Sequence, residues 1–520
     1  MRNLKSNKVF FCSVLMLFIG LTCFYSCRQK PLSPQERLAN DIADGGILAK
    51  KYCSNCHQFP EPALMNKAIW ETGILPAMAL KLGLEQYMGQ TYAVSKSAIS
   101  TSDWQKIVTY YKSQAPTKLT FPKPVAQIFN DWAGFSLKQP KNSDVKKVSL
   151  TTLVSFNPND QKIYSADAYN NLYRWNENLK PELVAQLPAP ATNVLYDKTN
   201  EGKNQAIITS IGTLPPRDVL NGQVLQLNLD QQKTAAKPVV FADSLPRPVQ
   251  TIAADFNKDG LMDYAVCGFG HDQGGLYWLK QLPGKHFKTL PIRLIPGSTQ
   301  MATGDFNNDG WPDLICLFAQ ADEGIWLFLN DRKGGFTAKN VLHFPPIYGS
   351  SSFQLVDFNH DGKPDILYTA GDNSDYSTVL KPYHGVYIFL NTGNFNFKKQ
   401  FFYHIDGCTK AVAADFKHNG KLDIAVISFF ADFKNDPTEG FEYLEQTQPL
   451  QFVPHKVPVE HYGRWLTMDV SDYNHDGFPD VVLGNFSMGG QLINQKNFKP
   501  NWDMHEPLVV LENMGSKKSK

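Results

Sequence analysis

The stretch Asp255-Phe-Asn-Lys-Asp-Gly-Leu-Met-Asp263, followed by Tyr264-Ala-Val-Cys-Gly-Phe269, is the segment on which the fold turns. Its string D-F-N-x-D-G-x-x-D returns at Asp305–Asp313 and Asp357–Asp365, and as DYNHDGFPD at Asp472–Asp480. A degenerate copy, DFKHNGKLD, occupies Asp415–Asp423. Successive copies start 50, 52, 58 and 57 residues apart. Apolar strand-like runs lead into the copies (TIAADF, MATGDF) and follow them (YAVCGF, LICLF, ILYTA, IAVISFF, VVLGNF). Two weaker units fit upstream, VSLTTLVSF with KIYSADA and NVLYD with AIITSIG. Seven units of four short strands predict an all-β, seven-bladed β-propeller over residues 145–515. Its last blade, ending at Pro507–Leu511, needs an outer strand from elsewhere, and Gly134–Leu137 in the linker 119–144 can supply one.

The repeated string also carries chemistry. Oxygens at positions one, three and five fall on one side of a tight loop, Gly at six permits the turn, and an acid at nine closes it. Asx residues capping backbone turns would look similar, but converging carboxylates repel one another without a cation. Ca²⁺ is therefore expected at four loops. Their donors are Asp255, Asn257, Asp259 and Asp263; Asp305, Asn307, Asp309 and Asp313; Asp357, Asn359, Asp361 and Asp365; and Asp472, Asn474, Asp476 and Asp480. In the degenerate copy Lys417 and Asn419 replace two donors, and no metal is expected there. The string resembles the FG-GAP/VCBS repeat of integrin-like propellers, a resemblance that speaks to architecture and says little about activity.

A second signature lies upstream. Cys53-Ser-Asn-Cys56-His57 has the spacing of a covalent haem c attachment site, with two thiols for the vinyl groups and an imidazole for the iron. No second Cys/His pair follows at zinc-finger spacing, and no βαβ context surrounds the motif. Leu38–Tyr52 has helical apolar spacing, and Ser102-Asp103 is expected to cap a closing helix through Ile107, Val108 and Tyr111. Residues 35–118 thus resemble a small all-α cytochrome c domain. Methionine is the expected second axial ligand. Met78 is preferred because Pro76 could hold the chain extended over the haem; Met88 is next, and Met65 lies too close to His57.

Arg2, Lys5 and Lys8 precede an apolar run from Val9 to Tyr25, so residues 1–27 are expected to be an export signal. The run ends Phe24-Tyr25-Ser26-Cys27, which resembles a lipobox with Cys27 as the lipidated residue; an uncleaved anchor is the alternative. Either places the chain outside the cytoplasm, on the periplasmic side or at an outer-membrane surface. The 520 residues carry a net charge of only +2, which offers no footprint for nucleic acid. Of the 8 cysteines, those at 12, 23 and 27 are in the leader and two serve the CxxCH, leaving Cys267, Cys316 and Cys408 without a disulfide framework.

If the acidic loops lie on one face, the loops after each second strand gather on the other. That face collects Asp322, Glu323, Asp372, Asn373, Asp375, Tyr376, Lys381, His384, Arg464 and Trp465, with His271, Asp272, Gln320 and Tyr348. Acids, amides and aromatics together suit a polyhydroxylated ligand, although loops are also polar simply because water covers them. This string, with FPPIYGSS (344–351) and the CxxCH, resembles a family of bacterial lipoproteins that fuse a cytochrome c domain to VCBS repeats. The resemblance implies haem c, Ca²⁺ and electron transfer with a redox partner protein or small reductant. The alternatives are a surface module binding glycan or protein, and a polyol or sugar dehydrogenase feeding its own haem.

Overall fold

The computed structural model describes residues 32–87, 90–140, 147–198, 202–230, 237–284, 286–374, 379–488 and 498–515. The leader with Cys27, and Met88, Asp375 and Tyr376, lie outside the described residues. The chain divides into two compact units, and the division cuts across the region expected to be one haem domain. Described residues 32–51 and 78–114 form one unit; residues 52–77 join 115–515 in the other.

In the smaller unit, helix α1 (Pro34–Cys53) starts at a reciprocal cap. Ser33 Oγ accepts from the Glu36 amide and Glu36 Oε2 accepts from the Ser33 amide. Helix α4 (Thr101–Gln114) begins two residues earlier than expected, because Ser100 Oγ accepts the Asp103 N–H at 3.1 Å. Gly45 lets α1 and α4 touch: a Cβ there would stand 2.1 Å from the Lys106 carbonyl oxygen. Trp104, Ile107 and Tyr111 form the buried face of α4. The region is not all-α, since β1 (Leu84–Tyr87) and β2 (Gln90–Ala93) pair as an antiparallel hairpin.

Three short pieces, α2 (Lys67–Ile69), a π turn (Trp70–Ile74) and α3 (Leu75–Lys81), run on as helical backbone. Pro76 is therefore in a helix and does not hold an extended chain, which removes the argument that favoured Met78. The proline brings no N–H to the ladder, and the wide turn before it, with Leu75 N–H reaching the Trp70 carbonyl, absorbs the mismatch.

The larger unit contains seven four-stranded antiparallel sheets. The first is β4 (Thr151–Asn157), β5 (Lys162–Asp167), β6 (Asn171–Trp175) and β7 (Pro181–Gln186); the second is β8 (Ala191–Lys198) to β11 (Val239–Pro246). The third runs from β12 (Pro248–Ala254) to β15 (His286–Arg293), and the fourth from β16 (Ser298–Gly304) to β19 (Phe336–His343). The fifth runs from β20 (Ser350–Val356) to β23 (Phe397–His404), and the sixth from β24 (Cys408–Ala414) to β27 (Gln451–Lys456). The seventh takes β28 (Trp465–Ser471), β29 (Asp480–Asn485) and β30 (Leu508–Asn513), and its outer strand is β3 (Phe135–Lys138). First strands of successive sheets neighbour one another around a closed ring, so this is a seven-bladed β-propeller.

Side chains of these innermost strands stitch each blade to the next. Asn193, Gln250, Gln300 and Gln354 each offer a side-chain oxygen to a backbone N–H one blade on, at Thr251, Met301, Phe353 and Ala413. Asp469 does the same for Phe156, and Thr152 donates to the Ala191 carbonyl. Lys410 alone stitches with an ammonium, donating to the Met468 carbonyl at 2.8 Å. Each bond satisfies a main-chain group that faces the ring axis rather than a strand partner.

Candidate functional site

Cys53 is half-buried and Cys56 exposed, and neither is in a disulfide. His57 Nδ1 lies 2.9 Å from the Gln58 carbonyl, which assigns the proton to Nδ1 and leaves Nε2 open. That is the arrangement in which an imidazole serves as a metal ligand. Burial lowers the His57 pKa, and the charge of Asp322 in the propeller opposes that shift. These three groups suit covalent haem: two thiols at the required spacing beside an oriented imidazole. The same segment meets the propeller through Tyr383, whose hydroxyl donates to the Leu64 carbonyl at 3.3 Å and lies 3.8 Å from Met65 Sδ. Met65 is buried by this contact, whereas Met78 is half-buried on α3.

The acidic loops join first to second strands in blades three to seven. In the four intact copies the Asp at position one accepts the N–H of positions five and six, as Asp255 does from Asp259 and Gly260. The Asn at three accepts the same position-five N–H. Position four takes a left-handed backbone at Lys258, Asn308, His360 and His475, with φ of 55–61°. Position nine behaves differently from the expectation. Asp263, Asp313, Asp365 and Asp480 are fully buried, and both oxygens of each accept backbone N–H groups. One oxygen holds the aromatic residue at position two, and the other holds the third strand of the blade. The ninth Asp is thus a strand staple.

Turn geometry does not itself require a cation. The degenerate copy closes the same way, Asp415 accepting from Asn419 and Gly420. In three intact loops the Asn Nδ2 faces the position-five carboxylate, so the amide oxygen is turned away from it. Arg332 pairs with Asp309 at 2.7 Å and Lys363 with Asp361 at 2.8 Å. Among the described residues, no group of three or more His, Cys, Asp or Glu side chains is gathered closely enough to hold a metal. Positions one, three and five still place oxygens around one turn, and rotating the Asn amide would present its oxygen to an ion.

On the opposite face, the residues expected to line an open mouth are mostly buried. Glu323, His384 and Arg464 are 0% exposed, and Asn373 and Trp465 are 1%. Arg464 stacks 3.6 Å over Phe429 and donates from Nε to the Phe429 carbonyl, a brace between loops. Trp465 belongs to the core of blade seven. Asp322 is engaged by Arg293 at 2.7 Å and His343 at 2.8 Å, and half-buried Asp372 caps Ser374.

Glu323, Asn373 and His384 remain as the unusual group. Glu323 Oε1 accepts the Ser350 N–H at 2.7 Å, while Oε2 has no hydrogen-bond partner among the described residues. Both side-chain atoms of Asn373 and both ring nitrogens of His384 are in the same condition. Burial pushes the Glu323 pKa up to about 8 and holds His384 well below its usual value, and the Lys381 charge acts on both. Buried polar atoms are seldom left unpaired, which sets this group apart from the other residues of the face. The sequence marked these residues as polar loop positions; their burial depends on blade-to-blade packing and has no local signal.

Residues 255–316 and 305–368 match the FG-GAP-like repeat. Integrin alpha-7 of Homo sapiens is 24% identical over 277 residues, covering 45% of this chain and 22% of that protein, so the chain spans about a fifth of its length. Among solved structures, the Cps50 (Swd1) β-propeller domain of Myceliophteria thermophila aligns at 11% identity and a TM-score of 0.41, covering 72% of this chain and 99% of that one. Dihydro-heme d1 dehydrogenase NirN, in complex with DHE, aligns at 13% identity and a TM-score of 0.39, covering 91% and 99%. The chain carries FG-GAP-like repeats on a seven-bladed β-propeller.

Proposed function

We propose that this is an exported, membrane-tethered electron-transfer protein carrying haem c on Cys53, Cys56 and His57, with a calcium-stabilised propeller that receives a ligand or redox partner. The observation that carries the reading is the His57 ring, held at Nδ1 by the Gln58 carbonyl beside two thiols at CxxC spacing, neither of them in a disulfide. Bound there, haem would supply a one-electron couple. The chain's own residues would fix the imidazole, bury it and, through Asp322, set the charge near it. Met78 stays the proposed second axial ligand.

Calcium is proposed at positions one, three and five of the four intact loops. Tethering through a lipidated Cys27 belongs to the same reading. No helix among the described residues is long and apolar enough to cross a membrane. The atoms of Asn373, His384 and Glu323 that have no partner among the described residues favour a second reading of the propeller, in which it binds a polar ligand such as a glycan and the haem serves as relay or sensor.

The visible spectrum of protein made with a haem-attachment system tests the first reading. A haem c band that survives acidified-acetone extraction, and is lost in Cys53→Ser/Cys56→Ser, is the expected result. A colourless protein from the same cells would overturn it.

A further inference from the structure

We infer that the central channel of the propeller is a binding site for a small aliphatic carboxylate, held by Lys410. A cavity of about 360 Å³ opens along the innermost strands of blades four to six, within the size range of small-ligand sites. Gln300, Ser352, Gln354 and Lys410 supply its polar wall, with Met301 and Val412 among the apolar residues. Lys410 is the one charged residue lining it.

The repeat itself makes this lysine conspicuous. Three successive blade junctions are stitched by the amides of Gln250, Gln300 and Gln354, which carry no charge. At the next junction the same mechanical task falls to an ammonium, which donates one N–H to the Met468 carbonyl. An amide N–H could make that bond without burying a charge, and burial does lower the Lys410 pKa. The other two ammonium N–H groups have no protein acceptor among the described residues, and no carboxylate lies within ion-pair distance. Asp469 attracts the Lys410 charge from a distance, but it forms no ion pair with it, gives one oxygen to the Phe156 N–H at 2.6 Å and does not line the cavity. A carboxylate in the channel would accept the two free N–H groups, with the Gln300 and Gln354 side chains beside it and a short alkyl chain against Met301 and Val412.

Calorimetric titration of the full chain with sodium propionate, propionamide and sodium chloride at matched ionic strength tests the inference. Propionate is expected to bind one per chain, propionamide and chloride to give no heat of binding. Thermal unfolding should rise by about 4 °C at a hundredfold excess over Kd. Lys410→Gln keeps an N–H for Met468, so its melting temperature in chloride should match wild type while propionate binding falls about tenfold or more. Absence of propionate binding, or equal binding in Lys410→Gln, overturns the inference. Should that variant fail to fold, the comparison of propionate with propionamide on the wild-type chain decides the matter alone.

Discussion

Arg332 occupies the place where a cation would compete for Asp309. Its guanidinium pairs with the position-five carboxylate of the 305–313 loop, and Lys363 does the same in the 357–365 loop. The loops at 255–263 and 472–480 have no such pair among the described residues. Calcium should therefore fill those two first. Arg332→Ala should tighten binding at its own loop about threefold, the worth of an exposed ion pair. Calcium titration followed by thermal shift checks this, and an unchanged midpoint would tell against a cation at that loop. Removing calcium with a chelator should lower the melting temperature of the wild-type chain. If it does not, hydrogen bonds alone close these turns, as they do in the copy at Asp415–Asp423.

Whole strands depend on single buried groups. Gln300 accepts the Phe353 N–H across a blade junction, so Gln300→Ala should cost about 1–3 kcal/mol, the penalty of stranding a buried donor. Gln300→Glu keeps an acceptor and should recover part of the loss in urea unfolding. Phe135 on β3 is 4% exposed and packs edge-on against Phe416 and Tyr443 of blade six. Truncating it, Phe135→Ala, should cost about 3–5 kcal/mol by opening a cavity where the ring closes. A loss below about 1 kcal/mol would mean that blade seven holds without its outer strand. The stitching residues illustrate what the sequence concealed. Asn193, Gln250, Gln300 and Gln354 look like ordinary polar positions in alternating strands, and only ring closure brings a main-chain N–H of the next blade to each.

Across the molecule, burial raises the pKa of a set of acids: Asp480 to about 6, Asp406, Glu442 and Glu506 to about 7, Glu323 to about 8 and Glu439 to about 9. Each binds its proton more tightly folded than unfolded, so each contributes stability at low pH that is lost as pH rises through its folded value. Buried histidines such as His384, whose pKa is lowered, act only below their ordinary value and leave the alkaline limb untouched. The melting temperature should fall between pH 6.5 and pH 9, and a flat profile would show that these acids gain partners in solution. Blade number was legible because each repeat carries its own turn, DFNxDG, and its own apolar strands. Burial on the opposite face was not, because the same loops read as polar whether water or a neighbouring blade covers them. Lys138 on β3 meets Glu512 on β30 across 374 residues, so the strand that completes the last blade is synthesised before any of the blades. Until β30 emerges, β3 must wait as an unpaired edge, so the ring can close only after its last blade has been made.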